Sequence, residues 1–352
     1  MKKAYLVLSS GQIFEGERIG AETDFTGELV FCTNVVGYLE ALTDPAYAGQ
    51  ILVQTFPLIG NYGVIPEDLQ GKAWIGGYVC RECCAEPSNF RSEYELDRYL
   101  KENGIPGICN VDTRQLTRII RDGGLIKARI CGEKTEEFEK IAAAQPTGLV
   151  KTVSTKEVRE FPAKGEEKAH AALIDYGTKL GVIEALCARG CRVTVLPQDV
   201  TAQQVLDLKP DGLFLSEGPG DPAENADCVE QLKQLIGKLP VFGMGLGHQL
   251  AALAMGGKTC RLPYGHRGSN QPVKDAKGVR TLITAQNHGY AVDAESLKDK
   301  AVVTYFNAND GSCEGLEYPE KDCFTVQFDV TARETVFLTE RFIARMGGNQ
   351  NA

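Results

Sequence analysis

The residues most suggestive of chemistry form a glycine-rich turn at residues 243–249, GMGLGHQ, which precedes the apolar run LAALAM. Glycines between a strand and a helix permit a sharp bend that exposes the central side chain, as in a nucleophile elbow. A second loop, SEGPGDP at residues 216–222, offers backbone N–H groups that could hold a developing oxyanion. The two loops suggest attack on a carbonyl group, although such turns also serve simply as packing devices.

Cysteine is the abundant reactive residue, with twelve Cys against four His. The run at residues 80–84, CRECC, has the spacing of half a zinc knuckle, but no second Cys or His pair lies at a matching distance. We therefore interpret these cysteines as thiols and predict no metal site. Cys228 follows the second loop and is a conceivable displaced nucleophile, but it lies in a predicted helix with no His nearby in sequence.

Length, charge and hydropathy narrow the class of protein. A chain of 352 residues predicts about two domains. The net charge of −9 argues against nucleic acid as a partner, because phosphate binding needs a basic face. No segment approaches about 18 uninterrupted apolar residues, so we predict no membrane span. The amino terminus, MKKAYL, lacks the apolar run of a secretory signal, and scattered free thiols favour a cytoplasmic location.

The elements that must position the two loops form the second of two predicted domains. Residues 1–150 begin with short strands and continue with helical patterns at 94–101 and 112–121, which predicts a mixed α/β domain. Residues 151–170 are polar and charged, as in an exposed linker. Residues 171–346 alternate strand and helix, which predicts a doubly wound, mainly parallel sheet, and residues 347–352 are expected to form a flexible tail. In such sheets ligands collect where strands end, and both loops stand at those positions.

Ordered motifs along the chain resemble the small subunit of carbamoyl phosphate synthetase, whose second half is a class I glutamine amidotransferase domain. In the first domain the similar segments are GYLEALTDP at 37–45, FPLIGN at 56–61, EPSNFR at 86–91 and NVDTRQLTR at 110–118. In the second domain they are the two loops and TAQNHGY at 284–290. The resemblance covers nearly the whole chain and implies that family's two-domain α/β fold.

The resemblance also implies that a catalytic triad has been replaced in this chain. In the family, a Cys at the elbow attacks the side-chain amide of glutamine, a His transfers the proton and a Glu orients the His. The matching positions here are Gly245, Asp329 and Thr331, the last two within QFDVT at 327–331. Gly245 has no nucleophile, and an aspartate with an ordinary pKa near 4 is a weak base. We therefore expect glutamine hydrolysis to be lost, since removing one triad member costs roughly 10⁴- to 10⁶-fold in rate.

Part of the surrounding pocket persists at positions that contact glutamine in the family. By resemblance these are Ala46, Gly218, Gly220, Leu246, Gln249, Asn287, Gly289 and Tyr290. Ala46 stands where the family usually has a Ser, which would weaken binding. An equally simple interpretation is that the glycines and Gln249 remain because the turns need them. His248 and His288 lie beside these motifs, and we expect them to make structural hydrogen bonds.

The preferred hypothesis is a subunit role. The chain would dock on a large synthetase chain that makes carbamoyl phosphate from bicarbonate, ATP and ammonia for pyrimidine and arginine synthesis. No phosphate-binding loop of the Gly-x-x-x-x-Gly-Lys-Ser/Thr type occurs in this chain, so no cofactor is expected here, and ATP with its metal is expected on the large subunit. Two alternatives remain: a working glutaminase with a non-standard nucleophile such as Cys228, and a regulatory module that binds glutamine without turnover.

Overall fold

The chain forms two compact units, Met1–Thr147 and Gly148–Ala352, in a computed structural model that describes residues 2–278 and 280–347. The first unit thus ends at residue 147, close to the boundary predicted at residue 150. Of the predicted tail, Gly347 closes the last helix, and residues 348–352 lie outside the described residues. Among the residues described, no helix combines the length and apolar character needed to cross a bilayer.

The first unit is built on a closed barrel. Its strands are β1 (Lys3–Leu8), β2 (Ile13–Gly20), β3 (Phe25–Cys32), β4 (Gln50–Gln54), β5 (Leu58–Ile59), β6 (Gly77–Val79), β7 (Glu82–Cys83), β8 (Pro106–Cys109) and β9 (Ile126–Cys131), and its helices are α1 (Tyr38–Thr43), α2 (Leu96–Glu102), α3 (Thr113–Gly123) and α4 (Phe138–Ala143). The barrel order is β1-β2-β8-β6-β4-β3-β9, and β5 pairs with β7 separately. Closure leaves the barrel strands without free edges.

Two of the helices predicted in this unit are confirmed. The pattern at 94–101 corresponds to α2 and that at 112–121 to α3. The Asp112 side chain accepts a hydrogen bond of 2.9 Å from the backbone N–H of Gln115, as expected of an N-cap residue. Leu116 and Ile120 then project from one side of α3 into the core that fills the barrel.

The second unit is a ten-stranded sheet flanked by helices. Its strands are β10 (Arg159–Phe161), β11 (Ala169–Asp175), β12 (Cys191–Pro197), β13 (Gly212–Leu215), β14 (Val241–Met244), β15 (Lys258–Asp275), β16 (Thr281–Asp293), β17 (Val302–Asn307), β18 (Cys313–Tyr318) and β19 (Cys323–Val326), and its helices are α5 (Leu149–Val153), α6 (Leu180–Cys187), α7 (Ala202–Asp207), α8 (Ala226–Leu235), α9 (Leu246–Ala254) and α10 (Phe337–Gly347). The strand order is β10-β12-β11-β13-β14-β19-β18-β16-β15-β17.

The centre of this sheet is parallel and covered on both faces. Strands β12, β11, β13 and β14 pair in parallel, as the alternation of strands and helices predicted, and β19 pairs in parallel with β14. Along β11, Ala172 and Ile174 pack in the core that contains α8 and α9. Ala171 and Leu173 point to the opposite face and pack with α6 and α10. The predicted α/β fold class is confirmed, and the sheet continues beyond β19 into antiparallel strands that the pattern did not reveal.

Residues 151–170, interpreted from sequence as an exposed linker, instead belong to the second unit. Val150 of α5 packs into its core, and β10 pairs antiparallel with β12, with Phe161 opposite Val193. Strand β11 already begins at Ala169. The polar composition has a physical reason: β10 is an edge strand, and Arg159 and Glu160 are exposed. Charged residues are normal on the edge of a sheet.

Candidate functional site

The glycine-rich turn forms the predicted sharp connection between a strand and a helix. Strand β14 ends at Met244, Gly245 follows with φ 56° and ψ −116°, and α9 begins at Leu246, earlier than the run at 250 had indicated. The Gly245 N–H donates to the carbonyl oxygen of Val326 at 3.0 Å, and the Gly247 N–H donates to that of Ser216 at 2.9 Å. These bonds fix the turn against β19 and the end of β13.

Gly245 sits where a side chain would be both strained and crowded. Its positive φ lies in a region that residues with a Cβ rarely adopt. A Cβ added there would lie 2.8 Å from the Cβ of Glu217 and 3.1 Å from its Cα. The backbone therefore keeps the shape of an elbow, and Glu217 borders the space that a side chain at position 245 would occupy.

Asp329 is tied into a salt bridge. Its Oδ2 accepts from the Nζ of Lys179 at 2.6 Å, and its Oδ1 accepts from the Thr331 N–H at 2.7 Å and the Thr331 hydroxyl at 2.5 Å. Burial by itself would raise the pKa of Asp329, but Lys179 and the two Thr331 hydrogen bonds hold that pKa below its ordinary value. Asp329 is thus an ionised carboxylate with its oxygens engaged.

Lys179 bridges two carboxylates. Its Nζ also lies 3.1 Å from Oε2 of Glu217, and the three side chains are only 11–20% exposed. We call Lys179, Glu217 and Asp329 the ion cluster. It stands beside Gly245, because the side chain of Glu217 is the one that a Cβ at Gly245 would touch.

Sequence analysis missed Lys179 and Glu217. The signal was their placement: Lys179 follows β11, Glu217 follows β13 and Asp329 follows β19. The carboxyl ends of these parallel strands meet at one edge of the sheet, which is where polar residues gather in α/β folds. Charged residues just after those strands were therefore candidates for the functional site.

The loop at residues 216–222 is anchored by its own contacts. The Ser216 hydroxyl accepts from the Tyr176 N–H at 2.8 Å and donates to the Glu217 carbonyl oxygen at 2.8 Å. A Cβ at Gly218 would lie 2.3 Å from the carbonyl oxygen of Tyr176 and 2.9 Å from the Leu246 side chain. Close packing alone therefore requires glycine at 218, in keeping with the interpretation that the turn needs it.

The structure joins several predicted pocket residues through Gln249. Its side-chain amide donates to the Tyr290 carbonyl oxygen at 2.8 Å and to Oε1 of Gln327 at 2.9 Å. The Tyr290 hydroxyl accepts from Arg261 at 2.9 Å, and burial raises its pKa. The network links α9 to β16 and to the residue that follows β19.

The remaining predicted positions divide between the units. Leu246 is buried at the start of α9, Gly220 lies in the loop after β13, and Asn287 and Gly289 lie on β16. Ala46 belongs to the first unit, where it is buried in a 3₁₀ turn spanning Pro45–Tyr47. A role of these residues in holding glutamine stays a prediction.

His248 and His288 both make structural hydrogen bonds. Nδ1 of His248 lies 2.7 Å from the Thr325 hydroxyl, and full burial lowers the pKa of His248 to about 3. Nδ1 of His288 lies 2.8 Å from the carbonyl oxygen of Tyr290. Neither histidine has a nucleophile to activate at Gly245.

Cys228, considered from the sequence as a displaced nucleophile, is a buried thiol without an activating base, and in the run at 80–84 a hydrogen bond from Cys80 lowers the pKa of Cys83. Cys228 is 4% exposed, its thiol donates to Oε1 of Gln198 at 3.2 Å, and burial raises its pKa to about 11. Such a thiol is protonated at neutral pH and is a poor nucleophile. Cys80 is buried and shares a hydrogen bond with Cys83.

Comparison with known proteins places this site in a family. Residues 6–130 match the model of the carbamoyl-phosphate synthase small chain, CPSase domain, and residues 172–329 match that of glutamine amidotransferase class-I. The carbamoyl phosphate synthase small chain of Bacillus caldolyticus is 46% identical over 93% of this chain and 90% of its own length. That of Fusobacterium nucleatum is 43% identical over 99% of both chains, and that of Archaeoglobus fulgidus is 44% identical over 97% of this chain and 98% of its own. The chain belongs to the carbamoyl phosphate synthase small-chain family.

Both halves of the carbamoyl phosphate synthase small chain are thus present. The barrel strands from β1 to β9 lie largely within the first match, and the parallel centre of the second unit lies within the second. The amidotransferase match includes Gly245 and Asp329 and stops before Thr331. Both units therefore match the family. At the elbow, however, the side chains beside Gly245 form the ion cluster.

Proposed function

We propose that this chain is a carbamoyl phosphate synthase small subunit that does not hydrolyse glutamine itself. The observation that carries the proposal is the elbow: Gly245 provides no nucleophile, and Asp329 is an ionised partner of Lys179. Family membership supplies the subunit role, and the local chemistry argues against catalysis.

The chemical argument concerns the two groups that amide hydrolysis needs. An amide is a poor electrophile, so a nucleophile must be activated beside a base. Gly245 offers only hydrogen at the position of attack. Asp329 cannot replace the base, because Lys179 and Thr331 occupy both of its oxygens and lower its pKa. A carboxylate stabilised in this way accepts a proton less readily than a free one.

The other candidate nucleophile receives no support. The Cys228 thiol packs in the core with Leu232 and donates to Gln198. Its raised pKa leaves almost no thiolate at neutral pH. A glutaminase that used Cys228 as its nucleophile would need α8 to move away from the core so that the thiol became accessible.

The nitrogen donor and the partner follow from the same proposal. The large subunit would bind this chain, hold ATP with its metal and use free ammonia and bicarbonate to make carbamoyl phosphate. A small chain without hydrolysis would then act by binding the large subunit.

The test is an assay of nitrogen source. The chain is purified with a carbamoyl phosphate synthase large subunit, and carbamoyl phosphate is measured with glutamine or ammonium chloride as the sole nitrogen source. We expect product from ammonium chloride and none above background from glutamine. The Cys228→Ser variant is the matched control and should behave identically.

Glutamine-dependent synthesis at rates matching ammonia would reject the proposal, and its loss in Cys228→Ser would identify the nucleophile. Calorimetry with glutamine separately tests the regulatory alternative. Heat of binding without turnover would favour a glutamine sensor, and no heat at millimolar glutamine would reject it.

A further inference from the structure

A second polar cluster lies inside the antiparallel part of the sheet, away from the ion cluster in the chain. His266 on β15, His288 on β16 and Glu314 on β18 each offer a ligand atom, and these atoms lie within 4.8 Å of one another. Glu314 is fully buried, and His266 is 6% exposed. The side-chain oxygen of Gln286 lies between the two histidines. The proposed function uses none of these side chains.

His288 turns a lone pair toward this centre. Its Nδ1 lies 2.8 Å from the backbone carbonyl oxygen of Tyr290, which can only accept, so Nδ1 carries the hydrogen. In a neutral ring Nε2 is then unprotonated. Nε2 nevertheless lies 3.0 Å from Oε1 of Gln286, another acceptor. Two lone pairs therefore face each other.

His266 also has an outer partner, and the Asn307 amide approaches its inner nitrogen Nδ1 at 3.4 Å. Its Nε2 lies 2.9 Å from a carboxylate oxygen of Asp310, which orients the ring with Nε2–H outward. Its Nδ1 lies 3.0 Å from Oε1 of Gln286 and 3.4 Å from Oε1 of Glu314. A metal-bound histidine typically donates its outer N–H to a carboxylate or a backbone carbonyl in this way. Both histidines thus have such an outer partner.

Glu314 supplies the negative charge. Its Oε2 accepts from the Gln286 amide at 3.0 Å, and its Oε1 accepts from the Asn307 amide at 3.2 Å. Buried carboxylates are normally paired with a cation or coordinate a metal, because neutral amides offset only part of the cost of burial. The outer carboxylate of Asp310 adds a second negative charge. The positive charge of the Arg267 guanidinium, which acts on His288, partly offsets these two negative charges.

We propose that this cluster is a zinc site formed by Nδ1 of His266, Nε2 of His288, Oε1 of Gln286 and a carboxylate oxygen of Glu314. Metal–ligand lengths of about 2.1 Å in a tetrahedron place ligand atoms about 3.4 Å apart. The separations of 3.0, 3.0 and 3.4 Å within the cluster approach that spacing. Two imidazoles with oxygen ligands suit Zn²⁺ better than Mg²⁺ or Ca²⁺, which prefer oxygen alone.

The site would be structural. Four protein ligands leave no open position for a substrate, which is the pattern of structural zinc. The ion would tie β15, β16 and β18 together within the stretch of β16 that carries Asn287 and Tyr290. Without a metal ion, the cluster must balance its charge and hydrogen bonds by protonation. The proton would be either on His266, whose Nδ1–H would then donate to Gln286 or Glu314, or on Glu314 together with a turned-over Gln286 amide. The experiment must distinguish the zinc-bound cluster from the metal-free, protonated one.

The test titrates Zn²⁺ into the full chain, purified without a metal-binding tag and stripped with a chelator. We expect one zinc per chain, with nitrogen and oxygen but no sulfur in its shell by X-ray absorption. His266→Gln and Glu314→Gln should weaken binding at least 100-fold. The matched control is His170→Gln, which changes a buried histidine whose ring contacts Thr194 at 2.8 Å. It should bind zinc like the unaltered chain.

Asp310→Asn keeps the test decisive if a ligand variant fails to fold, because Asp310 lies in a turn and its side chain is 40% exposed. Losing an outer partner of this kind should weaken binding about 10- to 100-fold. The midpoint of thermal unfolding should rise with free zinc in the unaltered chain and in His170→Gln, but not in Glu314→Gln. Sulfur in the zinc shell, equal binding by Glu314→Gln, or no binding at micromolar zinc would overturn the proposal.

Discussion

Lys179 places one ammonium group between the carboxylates of Glu217 and Asp329, beside the elbow. Asp329 should therefore contribute to the stability of the fold through an ion pair. In a mostly buried setting, removing one partner of an ion pair is costly because the other charge is left uncompensated. Here Lys179 would keep Glu217, at 3.1 Å, if Asp329 were neutralised. We therefore expect the ion cluster to contribute to the stability of the fold, at the position where the resemblance implies a proton carrier.

Asp329→Asn tests that stabilising role. We expect the free energy of unfolding at pH 7 to fall by about 2 kcal/mol, since a charged hydrogen bond is lost while the shape is kept. The pKa of Asp329 is lower in the folded chain than in the unfolded chain. Its contribution is therefore fully present above about pH 4 and is lost as the pH falls through the lowered value. The difference between variant and unaltered chain should shrink over that acid range.

Denaturant unfolding at several pH values measures this effect. Glu230→Gln is the control, because Glu230 pairs with Lys233 on the exposed side of α8 and such pairs contribute about 0–1 kcal/mol. A change of similar size in the two variants would contradict a special role for the ion cluster.

Gly245→Cys tests the elbow. The new thiol would have no base, because Asp329 remains bound to Lys179 and Thr331. It would also carry a Cβ at φ 56°, 2.8 Å from Glu217. We expect no release of ammonia from glutamine and a loss of about 1–3 kcal/mol in stability. Gly245→Ala should lose the same stability, which separates strain from chemistry, and hydrolysis by the Cys variant would show that the site is less altered than we infer.

At the scale of secondary-structure elements, the sequence predicted those helices and strands that a local pattern of apolar residues specifies. The parallel strands β11, β12, β13 and β14 and the turn at Gly245 were predicted, because apolar runs punctuated by helices specify them locally. The barrel was not predicted, since its closure joins β1 to β9 across the whole first unit. Pairing between distant strands leaves little trace in local periodicity.

Strand β15 shows a different limit. It spans 18 residues and contains Pro263, Gly265 and Gly268, which ordinarily indicate turns. The structure accommodates them with register shifts between Arg261 and His266 and between Gly268 and Gln271. Such bulges let a strand continue through residues that would break a regular ladder. His266 was missed for this reason, because its strand was not recognised, whereas His288 was named from the sequence but expected only to make structural hydrogen bonds.

Phe161→Ala tests the reassignment of residues 151–170. Phe161 of β10 packs against the core beneath β12, so we expect the second unit to lose about 1–2 kcal/mol in stability. Val158, just before β10, is 57% exposed, and Val158→Ala should change stability by less than about 0.5 kcal/mol. Denaturant unfolding measures both. An equal and negligible effect would restore the interpretation as a linker.

At the scale of the whole molecule, each unit has a core of its own and the cysteines are distributed through both. Nine of the twelve are buried, Cys83 and Cys84 are partly exposed, and Cys260 on β15 is exposed. Burial raises the pKa of thiols such as Cys228 and Cys191, the latter to about 12. Their abundance thus reflects their use as small apolar residues.

The native chain should therefore show one rapidly reacting thiol. With a coloured thiol reagent at neutral pH, we expect a fast phase of one equivalent from Cys260 and a slower phase from Cys83 and Cys84. The other nine should react only after unfolding. Cys260→Ser should abolish the fast phase alone, and a fast phase that survives in this variant would place a reactive thiol elsewhere.

The unusual backbone at Gly245 has a consequence for the history of the site. A glycine at φ 56° relieves the turn of strain that any thiol-bearing residue would impose. On the proposed function, introducing a nucleophile at position 245 would first destabilise the chain, and we expect no hydrolysis until Asp329 had also left Lys179. Each single mutation toward catalysis is therefore a loss by itself. On the proposed function, glycine at position 245 is therefore easy to keep and hard to replace by a residue that carries a nucleophile.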